Sequence, residues 1–149
     1  MTTDYQAVPQ TSVIKLIWLA MLGSPASLYV VLVIMDYLNL INPAPFKFAE
    51  YIFYSGFALI PIATLGLRIS KAANDAFLQT LKRDPEQARY ARQTFLQKLI
   101  LGMAIADVPA TIAIAYYFLS GDIDKAALLV MSSLIICYFF KPELPSPQL

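Results

Sequence analysis

The chain has 149 residues, 58% of them hydrophobic, with a mean hydropathy of +0.60 and a formal net charge of +1. That apolar share exceeds an ordinary soluble domain's and points to a membrane protein, while so small a net charge argues against a nucleic-acid or strongly acidic partner. A single cysteine, Cys137, and the absence of histidine exclude an internal disulfide and any His-based triad. No metal centre or cofactor is expected, because the commonest transition-metal ligand is missing.

Taken in order, the chain predicts an all-α protein with four transmembrane helices. Residues 1–12 form a polar tail, residues 13–141 a single four-helix domain, and residues 142–149 a second tail. The first apolar segment, residues 16–35, carries no charge and matches the length needed to cross about 30 Å of hydrocarbon. Its first half resembles a signal-peptide core, with Ser24-Pro25-Ala26 as a small-residue cleavage site. The apolar run continues past that site and residues 1–12 hold no positive charge, so a retained span is expected. A turn follows at Asn42-Pro43-Ala44-Pro45. The second span is residues 51–67, bounded by Glu50 and Arg68, and the third is residues 99–121, interrupted only by Asp107. After a turn at Ser120-Gly121-Asp122, residues 126–140 make a short fourth span ending in the interfacial cluster Tyr138-Phe139-Phe140. Tyr116 and Tyr117 read as further interfacial residues, and Asp122 and Asp124 as a solvated turn.

Between the second and third spans lie Arg68, Lys71, Lys82, Arg83, Arg89, Arg92 and Lys98, whereas the first connection holds only Lys47 and the third only Lys125. Positive-inside reasoning puts this central segment, residues 68–98, and both termini in the cytoplasm. The segment is not a loose loop. Residues 69–82 lack Gly and Pro and place Ala73, Ala76, Phe77 and Leu81 at helical spacings. Asp84-Pro85 breaks the pattern, because a residue before proline disfavours α geometry. Two helices joined by a tight turn at Arg83-Asp84-Pro85 are expected, with Pro85 in the first turn of the next helix and Glu86 favourable there. The basic residues serve topology and solubility; the exposed turn, including Arg83, Asp84, Pro85 and Glu86, is the candidate docking element for a soluble partner.

Asp107 is the costliest residue to keep. A carboxylate at that depth costs at least about 2.5–3.5 kcal/mol on insertion scales, and such residues usually mark ion or proton pathways. Lys98, nine residues earlier, lies about 13.5 Å away along a helix and is out of pairing range. Pro109 removes a backbone donor beside the carboxylate and loosens the helix there. Thr111, one turn along, is the expected hydroxyl partner of Asp107. Gly102, Ala106 and Ala110 form a small-residue stripe on this helix, and Ala63, Gly66 and Ser70 a matching one on the second span. Small residues let helix backbones approach closely in lipid. Asp107 then has three candidate roles: an interhelical hydrogen bond, a buried ion pair for which no base lies at equal depth, or exchange of an ion with an approaching cationic partner.

Residues 56–119 resemble the hairpin of the c-subunit, the proteolipid of rotary ATPases. Arg83-Asp84-Pro85 with Glu86 is similar to the family's cytoplasmic Arg-Gln-Pro turn. Met103-Ala104-Ile105-Ala106-Asp107-Val108-Pro109 resembles its carboxylate segment, particularly the bacterial forms with Asp and a nearby proline. The resemblance implies that Asp107 carries a proton as a ring turns, that Arg83 and Pro85 meet the rotor stalk, and that a stator arginine releases the proton. The chain departs from the family in three ways. Only Gly56 and Gly66 stand where the family has a dense glycine repeat. The carboxylate lies about one helical turn further from the turn. Two extra spans are present. An echo between Leu22-Gly23-Ser24-Pro25-Ala26-Ser27-Leu28 and Ala106-Asp107-Val108-Pro109-Ala110-Thr111-Ile112 is similar to the duplicated proteolipids of vacuolar-type ATPases, with Gly23 at the carboxylate position.

The expectation is therefore a ring-forming, proton-exchanging subunit of a bacterial inner membrane, with lipid, further copies of itself, and stator and rotor subunits as partners. Sodium is the less favoured ion, because no second carboxylate or glutamine lies close in sequence. The alternative from another class is a non-transporting structural component of an envelope complex, such as a secretion apparatus. A small channel or a transporter auxiliary is the third option.

Overall fold

The computed structural model describes residues 8–40 and 46–143. The turn expected at Asn42-Pro43-Ala44-Pro45, most of the polar N-terminal tail and residues 144–149 lie outside the described residues. Four α-helices make up the described chain: α1 (Val8–Tyr37), α2 (Ala49–Arg83), α3 (Pro85–Ser120) and α4 (Ile123–Phe139). No strand occurs among the described residues.

Three of the four, α1, α2 and α3, are long and apolar enough to cross a membrane. At 1.5 Å per residue the 35 residues of α2 and 36 of α3 extend about 52 and 54 Å, far beyond a hydrocarbon layer. The second apolar segment and the first half of the basic segment are thus one uninterrupted helix. The helices stop where the residues demand it. Asp84 is extended and caps the end of α2, while its Oδ1 accepts from the Gln87 backbone N–H at 3.3 Å and so caps the start of α3. Pro85 opens α3, where its missing N–H leaves no helical bond unmade. Gly121 adopts φ +69° just past the end of α3, a conformation that costs a glycine little. Pro25, Pro61 and Pro109 are all accommodated inside continuous helices.

Contacts define the order of the bundle. Gly66 meets Gly102 and Phe77 stacks on Phe95, so α2 and α3 form an antiparallel hairpin. Ser24 pairs with Asp107 and Asp36 with Tyr117, so α1 runs parallel to α3. The chain goes up, down, up and down, which brings the start of α1 and the end of α4 to the side of the Asp84 turn. α3 and α4 occupy the centre, and α1 and α2 flank them without packing against each other. Burial agrees: 44% of the apolar window of α3 is covered within the bundle, against 11% for α1 and for α2.

Two apolar clusters fill the interior. Toward the hairpin side, Ile14, Phe77, Phe95, Leu99, Met103 and Phe140 pack together; toward the other, Leu32, Tyr116, Tyr117, Leu129 and Val130 do. Burial of Tyr116 and Tyr117, 1% and 3% exposed, corrects their expected interfacial place; of the tyrosines read that way only Tyr138 is exposed. Asp122 is likewise more than a solvated turn residue. It is the N-cap of α4 and accepts from the Lys125 backbone N–H at 3.1 Å.

Candidate functional site

The two small-residue stripes lie where α2 crosses α3. Ala63, Ser70, Gly102, Ala106 and Ala110 are buried and Gly66 is half-buried. A methyl group built on Gly66 would sit 3.5 Å from the Gly102 Cα, an ordinary contact, so the two backbones are nearly in touch. The Phe140 ring covers the same crossing, and a side chain on Gly102 would overlap it. Without a hydrophobic drive between helices in lipid, this close approach is what binds α2 to α3.

Asp107 lies on the opposite side of α3, half-buried, facing α1 rather than α2. Its Oδ2 accepts a hydrogen bond from the Ser24 hydroxyl at 2.6 Å. Its Oδ1 is buried and has no hydrogen-bond partner. Thr111, the partner expected from spacing, is exposed and does not bond the carboxyl. The reason is rotational. Four residues along a helix subtend about 400°, and the residual 40° carries Thr111 to the outer side while α1 covers Asp107.

A polar seam extends from this pair through α1, α3 and α4. The Ser133 hydroxyl, fully buried on α4, donates to the Ala106 carbonyl at 2.5 Å, next to Asp107. Trp18 Nε1 donates to the Cys137 carbonyl at 3.3 Å, tying α1 to α4. At the far end the Tyr117 hydroxyl donates to Asp36 Oδ1 at 3.0 Å. Pro25 and Pro109 are both buried, each close in sequence to a member of the Ser24–Asp107 pair. A proline leaves the carbonyl four residues earlier without its helical donor, here on Met21 and Ile105. Gly23, placed at the carboxylate position by the internal echo, has open space around it; Ser24 is the residue that meets Asp107.

Ser24, Ser133, Asp36 and Trp18 were not singled out as site residues from the sequence. The available signal was a hydroxyl or carboxyl inside or at the edge of an uncharged run. Ser24 and Ser133 both fit that description, but so do Ser27 and Ser132, which bond only their own helices.

The turn residues form no pocket with this seam. Arg83 is exposed at the end of α2, Asp84 caps both helices, and Pro85 and Glu86 begin α3. Behind the turn the hairpin is held by the parallel rings of Phe77 and Phe95, 6.1 Å apart. At the other end of the bundle Lys125 contacts Glu50 at 2.6 Å and lies over the Phe53 ring, and the Glu50 carboxylate holds the Lys125 ammonium up to about 12. Among the described residues no His, Cys, Asp and Glu group could hold a metal ion.

No family model, curated protein or solved structure matches the chain.

Proposed function

We propose that this chain is an integral membrane subunit that exchanges protons at Asp107, with α1 as the element that covers and uncovers the carboxyl. One observation carries the proposal: Asp107 has one oxygen bonded by Ser24 and the other buried with no partner. Buried polar atoms are overwhelmingly paired, and an intramembrane carboxyl with one oxygen unpaired has an acceptor open to a proton. α1 suits a moving cover. Hydrogen bonds from Ser24 and Tyr117 join it to α3, beside packing around Ile14 and Leu32, and a polar tie can be exchanged where a packed backbone contact cannot.

In this reading the chain is a proteolipid-like, homo-oligomeric subunit in which all four helices cross the membrane, with the hairpin turn and both termini in the cytoplasm. Proton release to a stator cation requires α1 to withdraw from Asp107, because Ser24 of the same protomer occupies that face. The basic hairpin, with Arg83 and Arg89 exposed, is then the docking element for a soluble partner.

The Ser24 bond also favours a second reading, in which Asp107 is a fixed interhelical tie in a non-transporting component of an envelope complex. Carbodiimide labelling in lipid separates the two. A proton-exchanging Asp107 reacts in a pH-dependent manner, protection is weakened in Ser24→Ala, and labelling disappears in Asp107→Asn. An Asp107 that stays unreactive across the pH range, in the wild type and in Ser24→Ala alike, leaves only the structural role.

A further inference from the structure

A cleft of about 90 Å³ opens where the α2–α3 hairpin leaves the apolar bundle, floored by Phe95 and Phe140. Lys71, Asn74 and Asp75 of α2 form one wall, and Lys141 and Glu143, just after α4, the other. It continues into a shallower groove beside Tyr138 and Phe139, both exposed. Asn74 is 5% exposed, and its Oδ1 has no hydrogen-bond partner. Lys71, Asp75, Lys141 and Glu143 form no ion pair among the described residues, although two ammonium and two carboxylate groups line one small opening.

The geometry points to a lipid site: the cleft takes the headgroup of a zwitterionic phospholipid bearing a primary ammonium, and the groove takes the start of its acyl chains. The charge pattern matches such a headgroup group by group. A phosphate sits between the ammonium groups of Lys71 and Lys141. A primary ammonium has three N–H donors, enough for the carboxylates of Asp75 and Glu143 and, once the Asn74 side chain turns into the cleft, for its carboxamide oxygen as well. The level is right as well, since the cleft lies where α4 ends and charged residues replace apolar ones along α2. A quaternary headgroup has no N–H to give Asn74, and an anionic one leaves both carboxylates opposed. This inference does not depend on the role of Asp107.

The test is native mass spectrometry of the full chain in non-ionic detergent, incubated with phosphatidylethanolamine, phosphatidylcholine or phosphatidylglycerol at equal concentration. Phosphatidylethanolamine adducts should exceed the other two by about tenfold, the worth of one charge-assisted hydrogen bond. Lys71→Ala with Lys141→Ala, and separately Glu143→Gln on an exposed side chain, should each reduce that excess. Asn74→Leu should abolish it, and the exposed-residue variants decide the matter if Asn74→Leu does not fold. Equal retention of the three lipids, preference for phosphatidylglycerol, or variants that retain phosphatidylethanolamine unchanged would overturn the assignment. Displacement of the lipid by soluble phosphoethanolamine at equal concentration would also overturn it, by assigning the cleft to a water-soluble ligand.

Discussion

Helix α3 is held by two neighbours in opposite ways. Against α2 it offers Gly102, Ala106 and the stacked ring of Phe95, and the contact is close and dry. Against α1 it offers Asp107 and Tyr117, and two hydrogen bonds join the helices alongside the apolar contacts of Ile14 and Leu32. Lipid tails are as apolar as leucine, so a membrane helix can be kept in place by backbone proximity or by polar contacts. Close packing is permanent once formed. A hydrogen bond to a carboxyl can be exchanged for one to water, a partner or a proton. In the proposed function this difference makes α2 and α3 the frame and α1 the part that moves.

Substitutions at each contact can break or sharpen this contrast. The largest effect is expected at Gly102→Ala, where the added methyl overlaps the buried Phe140 ring; overpacking of this kind costs about 1–3 kcal/mol. Thermal unfolding in detergent checks it, and Gly66→Ala, with a 3.5 Å contact in place of an overlap, should be far milder. If the two glycines tolerate alanine equally, the Phe140 ring sits more loosely over Gly102 than the structure shows. Next comes Ser24→Ala, which removes the bond to Asp107 and should cost about 1 kcal/mol, near the range for hydrogen bonds between membrane helices. Its clearer readout is faster amide hydrogen exchange in α1 with α2 unchanged. Tyr117→Phe should act in the same direction by about 0.6 kcal/mol, at the average for such bonds.

The smallest effect belongs to Lys125 and Glu50, a pair whose side chains are 40% and 52% exposed. Glu50→Gln should leave unfolding almost unchanged, and any difference should vanish in high salt. The pH sign follows from the direction of the shift. Lys125 titrates at about 12 in the folded chain against an ordinary 10.5, so the pair's contribution is complete below 10.5 and is lost as pH rises through 12. Stability that rose with pH over that window would show that another group dominates.

Much of the frame was legible in the residues. Asp84-Pro85 announced the end of one helix and the start of the next because proline restricts its predecessor, a purely local effect. The glycine and alanine stripes announced the α2–α3 crossing because helical periodicity puts them on one face. The site was legible only in part. Asp107 stood out by its cost in lipid, but its partner did not, since Ser24 is 83 positions away and only the tertiary arrangement brings it near. Thr111 was chosen by local spacing, and local spacing says nothing about which side of α3 the first helix covers. Tyr116 and Tyr117 were misplaced for a related reason. A tyrosine near a helix end satisfies an interfacial belt and a buried hydrogen bond equally well in sequence.

In the proposed arrangement, where all four helices cross the membrane, the shortness of α4 has a physical consequence for the surrounding bilayer. Seventeen residues at 1.5 Å each reach about 25.5 Å, some 4.5 Å less than an average hydrocarbon layer of about 30 Å. In that arrangement lipid beside α4 thins, or Lys125 in its first turn and Lys141 just past its end reach outward, at a fraction of a kcal/mol per ångström. Either response draws water closer to the middle of the bundle, where α4 packs next to the acid-bearing helix. In that arrangement membrane thickness would act on hydration of the carboxyl, and the expected outcome is that the protein partitions toward the thinner of two coexisting lipid phases.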